Sequence, residues 1–172
     1  MQNLMVDIET LGTEEDAAVL SIGACFFDPV TKEIGPKFSM NLQLDEQLKT
    51  RSITADTLKW WLQQSDDTKK VFYEETGLTN IVVKAFAAWV LANARLEDVR
   101  PWGNGATFDI TILENLLREN SVVPPWKFWN VRDLRTFREY VAGNAKVVKL
   151  GVEHNALDDA ISQAKFVMEH IK

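Results

Sequence analysis

LMVDIETLGTEEDAAVLSIGACFFDPVTKEIGPKFSMNLQL, residues 4–44, holds the pattern that decides the fold. From Leu4 to Ile8 the side chains are short, apolar and partly β-branched, and from Ala17 to Phe27 they are apolar almost throughout, as in strands buried on both faces. Over Lys37–Leu44, Phe38, Met40, Leu42 and Leu44 alternate with Ser39, Asn41 and Gln43, which predicts a third strand with one solvated face. Between the second and third strands, DPVTKEIGP (28–36) supplies the turn formers Asp28, Pro29, Gly35 and Pro36. A connection that short joins neighbours antiparallel, so the three strands should form a meander.

Downstream the period becomes helical. Thr54 is a candidate N-cap for ADTLKWWLQQ (55–64), and Thr79 for NIVVKAFAAWVLANA (80–94). VRPWGN (99–104) reads as a strand, followed by a helix from Phe108 to Asn120 that Pro124 and Pro125 close off. FWNVRD (128–133) leads into a helical LRTFREYVAG (134–143), and a last helix runs from Asn155 to Ile171 with Ala156, Leu157, Ala160, Ile161, Ala164 and Val167 along its inner side. A meander followed by alternating strands and helices describes an α/β fold of the ribonuclease H-like kind: a mixed five-stranded sheet, an antiparallel meander and then parallel strands, flanked by helices.

With 172 residues, nine Phe and six Trp, the chain is expected to be a single globular domain over residues 1–172. The N-terminus MQNLMVDIET shows no basic stretch followed by an apolar run, and no uncharged stretch is long enough to span a membrane, so a cytoplasmic protein is expected. Cys25, the single cysteine, lies in the apolar run IGACFF (22–27) and reads as a buried thiol. The net charge of −6 argues against a broad phosphate-gripping face, but falls to −2 if four carboxylates hold divalent cations. Between Trp126 and Lys149, Lys127, Arg132, Arg135, Arg138, Lys146 and Lys149 outnumber Asp133 and Glu139, giving a local +4 that reads as either a phosphate track or a solvated helix face.

The chemical signals begin with Asp7 and Glu9 in VDIET (6–10), two acids on one face of a strand otherwise made of apolar residues. Side by side they repel unless a cation neutralises them, and oxygen donors suit Mg2+ or Mn2+; an exposed strand end with ordinary surface acids reads equally well. Asp109 in WGNGATFD (102–109) opens a helix, where capping alone would explain it. In HNALDDA (154–160), His154 precedes the last helix and Asp159 lies near its start. His154 reads as a polar residue ahead of a helix or as a general base, since imidazole titrates near neutrality; His170, at a polar helix end, reads as a surface residue.

VDIET, NGATFD and H-x4-D, in that order, resemble the three motifs of the DEDDh 3′–5′ exonuclease superfamily, over nearly the whole chain from Asp7 to Asp159. Within it, TLKWWL (57–62) looks like the phage and prophage exonuclease VIII-like and ribonuclease T-like branch. The resemblance implies two divalent cations, Mg2+ or Mn2+. Asp7 would bridge them, Glu9 and Asp159 would bind the one on the nucleophile side, and Asp109 would hold the second through water. His154 would deprotonate the attacking water, and nucleoside 5′-monophosphates would leave stepwise from a free 3′-OH. Of the adjacent acids Asp158 and Asp159, about 100° apart on a helix, only Asp159 fits the spacing, leaving Asp158 a solvated or helix-start acid.

Family likeness also sets Thr10, Leu11 and Gly12 against the terminal nucleotide, with main-chain groups at its 3′-OH and Leu11 beneath the base. Phe108 reads as a base-stacking residue or as core. Of Trp60 and Trp61, one should face the core, leaving the other for substrate. Glu14, Glu15 and Asp16 read as a solvated loop. The expected partner is the 3′ end of single-stranded nucleic acid, DNA favoured, with a 3′–5′ exoribonuclease as the alternative; no membrane is expected, and a homodimer stays open because several relatives are dimers. A ribonuclease H-like endonuclease needs no 3′-OH pocket and no such histidine spacing, and a non-catalytic nucleic-acid-binding module would not need all five of Asp7, Glu9, Asp109, His154 and Asp159.

Overall fold

A computed structural model describes residues 1–143 and 145–171. The meander forms as read: β1 (Asn3–Thr10), β2 (Val19–Asp28) and β3 (Glu33–Leu42) pair antiparallel, with Asp7 opposite Gly23 and Ala24 opposite Phe38. The third strand ends at Leu42, two residues early, because Leu44 turns into the short helix α1 (Leu44–Gln47). After α2 (Ala55–Leu62), a two-residue strand β4 (Thr76–Gly77) pairs parallel with β3. Next come α3 (Thr79–Asn93), β5 (Arg100–Gly103), α4 (Asp109–Glu119), the two-residue β6 (Arg132–Asp133), α5 (Leu134–Tyr140) and α6 (Ala156–His170). The sheet order is β4-β3-β2-β1-β5-β6, with β5 parallel to β1 and β6 parallel to β5, so it has one strand more than the five expected.

One cap expectation holds and the other changes. Thr54 is the N-cap of α2 as read, although its hydroxyl donates to Thr57 Oγ1 rather than accepting from the main chain. The N-cap of α3 is Leu78, and the Thr79 hydroxyl donates to the Gln43 carbonyl, tying α3 to the end of the meander.

The pleat of the central strands sorts the core into two layers. Leu4, Val6 and Ile8 of β1 and Ile22, Ala24 and Phe26 of β2 pack on Val82, Phe86 and Val90 of α3 and on Ile112, Leu113 and Leu116 of α4. Met5 of β1 and Cys25 and Phe27 of β2 turn the other way, onto Ala160, Ala164 and Val167 of α6. Cys25 is buried as expected, and burial pushes its thiol up to about 12. Asp7 and Glu9 continue the Met5 face toward the end of β1. The layer of α6 that packs hydrophobically at one end of the strand is therefore carboxylate-lined at the other.

The approach of α6 depends on Gly23. A Cβ there would lie 2.1 Å from the Ala156 carbonyl carbon and 2.2 Å from the Leu157 nitrogen, well inside contact distance. Backbone against backbone, the first turn of α6 rests on β2 beside Asp7.

Candidate active site

Asp7 and Glu9 stand near the carboxyl end of β1, and β5, its parallel neighbour, ends alongside at Gly103. The turn after β5 delivers Asp109 as the first residue of α4. That turn is fastened to the next layer by Asp133, whose carboxylate accepts from the Ala106 N–H at 2.6 Å and caps α5 through the Thr136 N–H at 2.7 Å. Partial burial would raise the Asp133 pKa, but these donors, the Thr136 hydroxyl and Arg135 hold it below the usual carboxylate range. From the opposite side α6, capped by Asn155 through the Asp158 N–H, presents Asp159 in its first turn and Gln163 one turn later.

The result is a cleft of about 280 Å³ lined by Asp7, Glu9, Asn104, Phe108, Asp109, Arg135, Lys149, His154, Asp159 and Gln163, with Ile8 at its base. All five residues of the sequence constellation are in it. Each of the four carboxylates is less than a tenth exposed. Burial, then the charges of Asp109, Glu9 and Asp159, drives the Asp7 pKa well above its ordinary value, against one donor, Gln163 Nε2 at 2.7 Å from Oδ1. Burial, then Asp159 and Asp109, does the same to Glu9, with Lys149 opposing. Asp109 is pushed up to about 7 by burial, in spite of the Ile8 and Asn104 amides and Arg135.

Asp109 is no helix cap: the N-cap of α4 is Phe108, and Asp109 Oδ2 is buried without a hydrogen-bond partner among the described residues, as is Gln163 Oε1. Donor atoms of Glu9, His154 and Asp159 lie within 4.8 Å of one another. Crowded, buried, underdonated oxygens of this kind fit hard divalent cations such as Mg2+ or Mn2+, and these carboxylates are the residues that could hold them.

His154 has φ +61°, a conformation uncommon for a residue with a side chain, and its ring meets the edge of Trp60 with centroids 4.8 Å apart. It also lines a second, polar recess with Ser21, Ser39, Asn41, Lys70 and Asn155, so the imidazole forms part of the wall between the two spaces. Trp61 is the core member of its pair, buried and donating its Nε1–H to the Thr10 carbonyl at 2.8 Å, whereas Trp60 is exposed beside His154. Phe108 lines the cleft and packs against the core. Asp158 points away from the carboxylates; its Oδ2 accepts from the Val152 N–H. His170 stacks on Phe166 at the far end of α6.

Thr10, Leu11 and Gly12, expected against the terminal nucleotide, are buried and are not among the residues lining the cleft. Leu11 packs on Ala18, Leu20 and Trp61. Their polar groups are engaged internally: the Thr10 hydroxyl donates to the Gly12 carbonyl, the Leu11 N–H to the Ala18 carbonyl, and the Leu11 carbonyl accepts from the Thr54 N–H. The basic run also divides. Arg135 and Lys149 reach the cleft, Arg132 and Arg138 bond main-chain carbonyls, and Lys127 sits over the Trp129 ring.

Comparison with known proteins places these features in context. The model of a family described as the 3′-5′ exoribonuclease Rv2179c-like domain matches residues 2–171. An exodeoxyribonuclease of Enterobacteria phage T4 is 30% identical over 167 residues, covering 79% of this chain and 70% of that protein. Among solved structures, S. pombe Pop2p in its Mg2+ and Mn2+ bound form superposes with a TM-score of 0.67 at 14% identity, over 97% of this chain and 81% of that one. E. coli exonuclease I in complex with a dT13 oligonucleotide gives 0.65 at 12% identity over 98% of this chain but 41% of its own, so the present chain spans under half of that protein. At such identities the structural likeness speaks to the fold, which is the ribonuclease H-like exonuclease fold.

Proposed function

The chain belongs to the 3′-5′ exoribonuclease Rv2179c-like domain family and is a 3′–5′ exonuclease, and from that premise we propose that it removes nucleotides stepwise from the free 3′-OH of single-stranded nucleic acid, releasing nucleoside 5′-monophosphates. The observation that carries this reading is the convergence of four buried carboxylates, three with raised pKa, around a cleft containing an Asp109 oxygen without a partner among the described residues and a histidine at positive φ. Two divalent cations, Mg2+ or Mn2+, held by Asp7, Glu9, Asp109 and Asp159, would supply the charge that stabilises the attacking and leaving oxygens at phosphorus.

The protein's own groups do the rest. Gln163 orients Asp7 through its 2.7 Å hydrogen bond, leaving the other carboxylate oxygen of Asp7 free to bind. His154, with its donor atom beside those of Glu9 and Asp159, takes the proton of the attacking water. Phe108, on the cleft wall, offers a face for a base, a contact tolerant of sequence.

DNA is the proposed substrate, supported by the phage T4 relative described as an exodeoxyribonuclease. RNA is the second reading, favoured by the family's description as an exoribonuclease domain. Matched 5′-labelled single-stranded DNA and RNA of one sequence, incubated with Mg2+ or Mn2+, separate the two. Faster shortening of the DNA strand is expected, and a clear preference for RNA would transfer the proposal to the second reading.

A further inference from the structure

Residues 145–155, between α5 and α6, contain no helix or strand, yet the main chain on the α6 side of Lys149 is fixed. The Leu150 N–H donates to Ser162 Oγ and the Val152 N–H to Asp158 Oδ2, both at 2.9 Å. Gly151 takes φ +76°, a conformation that favours glycine, and lies against the Asp158 carboxylate, whose Oδ2 would be 2.2 Å from a Cβ. The same short stretch carries His154, so one anchored loop brings both residues to the cleft.

Lys149 extends from this anchor to place Nζ 2.6 Å from Asp159 Oδ1. Its side chain is 43% exposed while that of Asp159 is 6% exposed, so the ammonium enters the acidic cleft from the open side. No other lysine or arginine forms an ion pair with the four carboxylates among the described residues, although Arg135 also lines the cleft. The contact is made by the freely rotating end of a four-carbon stem, while the Cα is held independently by the neighbouring main chain.

Resting on the reading that Asp159 holds a divalent cation, we propose that Lys149 is an exchangeable counter-ion, which neutralises Asp159 when the cleft lacks cations and moves to a phosphate of the substrate strand when cations and strand are bound. An ammonium at hydrogen-bond distance and a divalent cation on the same carboxylate repel each other, so occupancy by one loosens the other. The displaced Nζ keeps its anchor, its reach and three donors, and the phosphodiester entering the cleft is an anion it can meet as a point charge. Lys149 is then a substrate-binding residue that also competes with the cations.

Lys149→Met retains the apolar stem and removes the charge, and Lys149→Arg retains the charge. Mn2+ binding to the substrate-free protein is read by calorimetry, and hydrolysis by shortening of a 5′-labelled single strand at saturating Mn2+. Lys149→Met should bind Mn2+ about tenfold more tightly than wild type yet lose about tenfold or more in kcat/KM, with Lys149→Arg nearer wild type in both. Unchanged or weaker Mn2+ binding in Lys149→Met, or an undiminished kcat/KM, would overturn the proposal. A wild-type protein that neither binds Mn2+ nor shortens any strand would instead overturn the reading of the site itself, so the two failures are distinguishable.

Discussion

Asp109→Asn should make the metal-free protein more stable while removing its activity. In the folded chain Asp109 titrates at about 7 rather than 3.8, because burial opposes its charge more than the nearby amides and Arg135 favour it. A difference of roughly three pH units corresponds to about 4 kcal/mol at about 1.36 kcal/mol per unit. The sign follows from the raised value: the folded state holds this proton more tightly than the unfolded chain does. The penalty is small below about pH 4, grows as the unfolded group ionises, and is complete once the pH passes 7. Asparagine removes the charge at nearly constant shape, although its amide meets a position where Oδ2 has no partner, so a net gain of about 2–3 kcal/mol at pH 8 is expected. For a chain of this size that is about 5–10 °C in Tm. Thermal unfolding in EDTA at pH 8 and near pH 4.5 measures it: the variant should melt higher at pH 8, with the advantage shrinking at the lower pH. Added Mn2+ should raise the wild-type Tm far more than the variant's. A variant less stable than wild type at pH 8, or a gain that ignores pH, would refute the electrostatic account of the cleft.

The same carboxylates predict that Mn2+ affinity rises as the pH increases through about 7, with net proton release on binding, since Asp109 titrates there and Asp7 and Glu9 are raised as well; calorimetry in buffers of different ionisation enthalpy counts the protons, and pH-independent binding would contradict it. His154→Ala should lower kcat by about 10²–10⁴ while leaving most of the Mn2+-induced gain in Tm, as expected for a proton acceptor rather than a principal ligand; loss of the thermal gain would make His154 a ligand instead. Gly23→Ala must push α6 off β2, and overpacking of this kind costs about 1–3 kcal/mol or more, so both Tm and activity should fall together; a variant with unaltered activity would show that the seating of α6 does not set the site.

Most of the site was legible in the sequence because the signals are local. Two acids on alternate positions of an apolar strand must share a face, and the resemblance to the family's H-x4-D motif implies Asp159, not Asp158, as the cleft acid; the structure turns Asp158 back to Val152. Other features were not local. β4 and β6 have two residues each and exist only through pairing with distant neighbours, so no periodicity announces them. The seating of Thr10 and Leu11 involves Trp61, some fifty residues away, whose indole N–H donates to the Thr10 carbonyl and which packs with Leu11. Gln163 could have been found: it lies four residues after Asp159, on the same helical face, and a buried amide one turn from a ligand-type acid calls for an anionic partner. For Lys149 only the local +4 pointed the way, and only the anchored loop separates it from the four basic residues of that run that stay out of the cleft.

The central claim is tested most directly by the products from a 5′-labelled single strand ending in either a 3′-hydroxyl or a 3′-phosphate, resolved on a sequencing gel with and without Mn2+. The account predicts a ladder shortening one nucleotide at a time from the 3′-hydroxyl strand, dependent on Mn2+, with nucleoside 5′-monophosphate released and the 3′-phosphorylated strand degraded much more slowly. Equal degradation of both strands, internal cleavage of a circular strand, or an undiminished ladder in EDTA would contradict it.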